Sequence, residues 1–257
     1  MNSRIDAAFN KGKKTFIPFI AGGDPNIETT EKLIYALYEA GADIIEIGIP
    51  FSDPTAEGPV IESAYGRALK AGCTVDKLFA MIKKLRKDID AALLLMTYYN
   101  PIFAYGIKEF IEKSVDSGID GLIVPDLPYE ERGELLPYVV EAKMELISLI
   151  APTSSERIEN IAKNSSGFLY CVSSLGVTGE RNVLDNAAKT MIERVRTVSN
   201  IPCAVGFGIS NPDQARSMAS FADGVIIGSA IVRIIAQYGN ESVEPVSTFV
   251  KEIRRSL

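Results

Sequence analysis

The stretch EIGIPFSDPTAEGP, residues 46–59, holds three carboxylates: Glu46, Asp53 and Glu57. Acids grouped so closely suggest proton transfer, yet each sits in different company. Glu46 interrupts the apolar run DIIEIGIP (43–50). An unpaired carboxylate buried in such a run costs several kcal/mol or takes up a proton. Two readings follow: a structural ion pair inside a packed core, or a general acid/base whose pKa is tuned by its surroundings. Asp53, in SDP, also suits a turn or helix cap. Glu57, before Gly-Pro, is on its own an ordinary loop residue.

The chain contains no histidine, which removes Ser-His and Cys-His nucleophile pairs and histidine-based zinc sites. Proton transfer is left to Glu, Asp, Lys, Tyr, Cys or water. The lysines fall in helix-like segments and surface loops, so none stands where a Schiff base would form in a barrel mouth. No convincing cluster of metal ligands occurs. Metal-free acid–base chemistry by carboxylates is what remains.

Two further stretches suit an anionic substrate. GFGISNP (206–212) and IIGSAIV (226–232) end the last two apolar runs. Glycines there let backbone N–H groups approach a phosphate, and a helix start adds partial positive charge. Gly206, Gly208, Gly228 and Ser229 are the candidates; tight turns alone are the simpler alternative. SSLGVTGERN (173–182) reads as a mobile lid or a plain surface loop. MTYYNPIFAYG (96–106) reads as an aromatic loop, lining a pocket, meeting a partner or folded back on the core.

These residues need a frame. Strand-like runs begin at TFIPFIAG (15–22) and DIIEIGIP and continue through AALLLMTY, GLIVPD, ELISLIA, GFLYCVS, CAVGFG and DGVIIGS. Amphipathic segments separate them, including 28–40, 58–71, one from Thr74, GIKEFIEKSVDSG, EERGELLPYVVEAK, SSERIENIAKNS, DNAAKTMIERVRTVS, NPDQARSMAS and 244–256. Near-continuous apolar strands belong to a parallel sheet covered on both faces. Eight strand–helix units in 257 residues fit a single (β/α)8 TIM barrel domain over 1–257 with short extra helices. A doubly wound open sheet is the alternative. In a barrel, Ile45, Ile47 and Ile49 face the helices, whereas Ile44, Glu46 and Gly48 point inward, with Gly48 leaving room for a substrate.

The composition, 47% hydrophobic with a net charge of −6, supports a large core and argues against general nucleic-acid or anionic-membrane binding. Cys73, Cys171 and Cys203 form no CxxC pair and read as buried thiols. No apolar run approaches the ~20 residues of a membrane span, and the polar start MNSRIDAAFNKGKK lacks a signal core. A soluble, cytoplasmic protein is expected.

The motifs FIPFIAGGDP, EIGIPFSDPTAEGPVI, MTYYNPI, GLIVPDLP, SSLGVTG, GFGIS and IIGSAIV, in that order, give the chain a resemblance to the tryptophan synthase alpha subunit family along nearly its whole length. The resemblance implies a lyase that cleaves indole-3-glycerol phosphate to indole and glyceraldehyde 3-phosphate by a retro-aldol reaction. It implies that Glu46 is the principal acid/base, Glu57 the second carboxylate and Tyr170 an active-site tyrosine. It places Thr178 in the lid, Gly179, Gly208, Gly228 and Ser229 at the phosphate, and Phe19 in the indole pocket. It also implies a pyridoxal-phosphate-dependent beta subunit in an α2β2 complex, with Asp53, Asn100, Asp126 and Pro128 at or behind the contact. The cofactor belongs to that partner, and none is assigned to this chain.

One departure stands out. The family's usual wording is Pro-Leu-Ala-Asp-Gly-Pro, whereas this chain reads PTAEGP, with Thr55 and Glu57. Glutamate carries the carboxylate one methylene further, and a misplacement of about 1 Å can cost on the order of 10²-fold in rate. Restoring aspartate at position 57 is therefore expected to raise the rate. The same departure motivates an alternative: a catalytically weakened, phosphate-binding subunit that mainly activates its beta partner.

Overall fold

The computed structural model describes residues 3–152, 155–172, 181–206 and 208–257, with 181–185 described by their backbone alone. The chain opens with helix α1 (Arg4–Phe9) and then alternates strands and helices. Strand β1 (Thr15–Ala21) leads to α2 (Ile27–Glu39), and β2 (Ile44–Gly48) to α3 (Pro59–Lys70) and α4 (Val75–Leu85). Strand β3 (Ala92–Met96) is followed by α5 (Tyr99–Tyr105) and α6 (Ile107–Ser117). Strand β4 (Gly121–Ile123) is followed by a 3-10 turn (Tyr129–Glu134) and α7 (Leu136–Glu141), and β5 (Glu145–Ile150) by α8 (Ser155–Lys163). Then come β6 (Leu169–Cys171) with α9 (Arg181–Arg196), β7 (Cys203–Val205) with α10 (Pro212–Ala219), and β8 (Gly224–Ile227) with α11 (Ser229–Tyr238) and α12 (Val243–Ser256).

The eight strands are parallel, pair in sequence order and close into a barrel through β1 and β8. The (β/α)8 architecture expected from the sequence is therefore observed. Strand alternation divides the core in two. Ile45, Ile47 and Ile49 join the large layer between strands and helices. Ile44 joins Ile17, Leu94, Ile123 and Ile226 inside the barrel. Side-chain caps set several helix starts: Asn26 accepts the Thr29 N–H, and Asn211 accepts the Gln214 N–H.

Four local expectations are corrected, and one helix is added. The aromatic stretch after β3 is not a loop but begins α5, whose Pro101 lies in the first turn, where a missing N–H costs nothing. The single helix expected over EERGELLPYVVEAK is broken into the 3-10 turn and α7, with Pro137 at the new start. Helix α9 begins at Arg181, ahead of Asp185. The IIGSAIV stretch runs straight into α11 at Ser229. Helix α1 was not anticipated; it is held by a capping box between Ser3 and Asp6 and covers the N-terminal end of the barrel with Ile5 and Ala8.

An ion pair near the opposite end ties two connections together. Arg67 on α3 donates through Nε and Nη2 to Asp24, at 2.8 and 2.7 Å, and Asp24 is fully buried. This clamp links the segment after β1 to the helix that follows the three acids.

Candidate active site

A cavity of about 690 Å³ opens at the C-terminal ends of the strands, where barrel active sites lie. Glu46 enters it from β2 and is completely buried. Its register partners are Phe19 on β1 and Leu94 on β3, so apolar residues flank it on both sides. Neither carboxyl oxygen has a hydrogen-bond partner among the described residues, and no ion pair there includes Glu46. The structural ion-pair reading is thus not what the strand presents. Burial, reinforced by the nearby Glu57, pushes the Glu46 pKa up to about 8.

Glu57 reaches the same cavity from the loop before α3. The Glu57 N–H donates to the Pro54 carbonyl, and the neighbouring Ala56 N–H donates to the Tyr98 hydroxyl at 3.0 Å. These bonds hold the loop over the barrel mouth. Burial raises the Glu57 pKa to about 7, and its Oε1 is buried without a partner. Thr55, by contrast, is exposed, so solvent can satisfy its hydroxyl.

Tyr170 projects into the cavity from β6, and its hydroxyl is held well above the usual phenol range by burial and then by the two glutamates. Phe19, Gly206, Gly208, Gly228 and Ser229 also line the cavity. The glycines do different things. A Cβ on Gly206 would lie 2.9 Å from the Tyr170 ring, and one on Gly228 would lie 3.1 Å from Phe19. Gly208 has a φ of +48°, in the left-handed region. Gly228 is the N-cap of α11, whose first amide N–H groups lack carbonyl partners within the helix. That helix end faces the cavity beside Ser229 and suits an anion.

Gly48 does not leave open space, as its inward position suggested. A Cβ there would meet the Tyr65 hydroxyl at 2.5 Å and the Phe19 ring at 2.8 Å. The room is already taken by two aromatic side chains. Tyr65 carries no sequence signal of its own, because it sits on the apolar face of an amphipathic helix, where it reads as core.

The remaining site candidates spread outward. Asp126 and Pro128 line the mouth of the cavity, and Asp126 accepts the Tyr99 N–H at 2.9 Å, fixing the start of α5. Asn100 lies in a shallow cleft beside Tyr99 and Phe103. Asp53 is exposed, accepts the Ser52 hydroxyl and does not line the cavity. Thr178 and Gly179, with nearly all of the expected lid, lie outside the described residues. Among the described residues no group of three or more His, Cys, Asp or Glu is arranged to hold a metal ion.

The family model for "Tryptophan synthase alpha chain" matches residues 5–256. This chain belongs to the tryptophan synthase alpha chain family. Curated tryptophan synthase alpha chains are similar along nearly their full length. The one from Lacticaseibacillus casei is 46% identical, with 95% of this chain and 92% of the relative covered. The one from Thermoanaerobacter sp. (strain X514) is 45% identical, with 99% and 100% covered. Solved structures agree. The tryptophan synthase alpha subunit of Legionella pneumophila str. Paris superposes with a TM-score of 0.90 at 36% identity, covering 99% of this chain and 98% of that one. A chain of the tryptophan synthase complex of Pyrococcus furiosus gives 0.86 at 34% identity, covering 95% and 99%.

Proposed function

We propose that this chain is the lyase that cleaves indole-3-glycerol phosphate to indole and glyceraldehyde 3-phosphate, acting as the alpha subunit of an α2β2 tryptophan synthase. The observation that carries the reading is Glu46: a fully buried, unpaired carboxyl beside a second acid, in a cavity that is also lined by glycines and a helix start suited to phosphate.

The reaction breaks the bond between indole C3 and the adjoining glycerol carbon. Indole C3 must gain a proton, and the glycerol hydroxyl must lose one as its carbon becomes an aldehyde. A carboxyl with a pKa near 8 is available in both forms near neutrality, so Glu46 can donate to C3 and accept from the hydroxyl. Glu57 faces the indole N–H and offsets the positive charge that grows there when C3 is protonated. The Phe19 ring packs against the indole. Tyr170 shapes the cavity wall from β6. The α11 start and Gly206, Gly208 and Ser229 hold the phosphate, which fixes the reacting bond over Glu46. The family resemblance assigns Thr178 to the lid and Gly179 to the phosphate site.

No metal or cofactor is assigned to this chain; pyridoxal phosphate belongs to the beta partner. Asp53, Asn100, Asp126 and Pro128 are assigned to the partner contact, together with α5, whose Phe103 is 65% exposed. No described helix is long and apolar enough to cross a membrane. A cytoplasmic location fits the reading.

Indole release by the complex with a beta subunit is the test. Turnover in the parent and its loss in Glu46→Gln are expected, and equal rates in both would overturn the assignment. A parent that stimulates the beta reaction yet releases no indole would favour the weakened, regulatory subunit that Glu57 motivates.

A further inference from the structure

Behind the two carboxyls stands a phenol that the chemistry above leaves unused. Tyr65 is completely buried, and its hydroxyl makes no hydrogen bond to any described residue. It lies on α3 four residues after Ile61, which lines the cavity, so both occupy the helix face turned toward the barrel. Its oxygen rests against Gly48, two residues beyond Glu46 on the inward side of β2.

The groups that face Tyr65 are, in order of influence, Glu57, Tyr98 and Glu46, and Tyr170 faces the same cluster from β6. No lysine or arginine is among them. Arg67, two residues further along α3, is committed to Asp24. Tyr98 already accepts the Ala56 N–H. A buried phenol donor and a buried Glu57 oxygen are therefore both unpaired in one cluster. Each costs free energy while it stays so, and a hydrogen bond between the two would relieve both.

We propose that Tyr65 is a positioning residue for Glu57: its hydroxyl donates a hydrogen bond to the ionised carboxylate and holds it at the length set by the added methylene. The proposal rests on the acid–base reading above. It also reverses the expectation drawn from sequence. A site built around glutamate loses its anchor with aspartate, so Glu57→Asp lowers the rate.

Titration of the isolated chain tests the contact without turnover. Glutamate carboxyls are labelled with 13C, and the Glu57 resonance is assigned with Glu57→Gln. A hydrogen bond to the charged form lowers a carboxyl pKa. Tyr65→Phe is thus expected to move the Glu57 midpoint upward by about one pH unit. An unmoved or lowered midpoint overturns the proposal. If Tyr65→Phe does not fold, 3-fluorotyrosine at position 65 keeps the shape and strengthens the donor; the midpoint should then fall, and no change overturns the proposal. In the complex, Tyr65→Phe should lower kcat about tenfold with Glu57 present and less than twofold in the Glu57→Asp background. Equal losses overturn it. A parent without indole release would count against the lyase reading alone, and the titration would still decide the role of Tyr65.

Discussion

Phe19 on β1 and Glu46 on β2 are register partners, so an aromatic ring and a carboxyl enter the barrel mouth side by side. Leu94 on β3 flanks Glu46 from the other strand. With apolar partners on both sides, no cation or amide answers the carboxyl, and burial alone goes far toward making it an acid that titrates near neutrality.

Replacing Glu46 with glutamine keeps volume and removes the transferable proton. General acid–base groups contribute typically about 10²–10⁴-fold, and a loss of that size in indole release is expected for the complex. Stimulation of the beta partner should survive, because the fold and the mouth are unchanged.

The same carboxyls make stability depend on pH. Their folded pKa values, about 8 for Glu46 and about 7 for Glu57, lie above the ordinary value of 4.5. The folded chain therefore holds these protons more tightly than the unfolded one. The stabilisation is complete below pH ~4.5 and is lost as pH rises through ~7 and ~8. Asp116 and Glu130 are shifted the opposite way, so their contribution is lost only at more acidic pH. The Tm should fall between pH 5 and 8, and Glu46→Gln with Glu57→Gln should flatten that slope. A parent whose Tm rises across the window would contradict the burial of these groups.

Gly48→Ala should destabilise the chain by about 1–3 kcal/mol, because the new methyl meets Tyr65 and Phe19 below van der Waals distance. Adding Tyr65→Phe deletes the nearest contacting atom. The double variant should recover part of the loss in urea denaturation, making the two changes less than additive.

Arg67→Met should cost about 3–5 kcal/mol, since it strands the buried Asp24 carboxylate. Asp24→Asn with Arg67→Met leaves no buried charge and should be less damaging than Arg67→Met alone. Chemical denaturation of the three variants distinguishes these outcomes.

Glu46 was legible because a barrel strand is otherwise apolar and its alternation assigns each residue a face. The phosphate-type glycines were legible as a pair of loops on adjacent strands, though not in function: Gly206 and Gly228 make room for Tyr170 and Phe19 as well as for a ligand. Tyr65 was not legible, since an aromatic on an apolar helix face is indistinguishable from packing until its hydroxyl is seen without a partner. Helix α5 was hidden by Pro101, which looks like a breaker but sits in a first turn. Helix α1 had a signal in SRID, a serine followed three residues later by an aspartate, but six residues are too few to show a period.

Helix α1 also sets the traffic through the molecule. The Phe9 ring packs tilted against Phe168, with centroids 5.3 Å apart, and Ile5 and Ala8 pack among the inward residues of the strands, so the barrel is stoppered at that end. Among the described residues the cavity opens at the other end. Product formed beside Glu46 is then released at the end by which the substrate came in, where Asp126 and Pro128 line the cavity. A protein seated at that end would stand directly in its path.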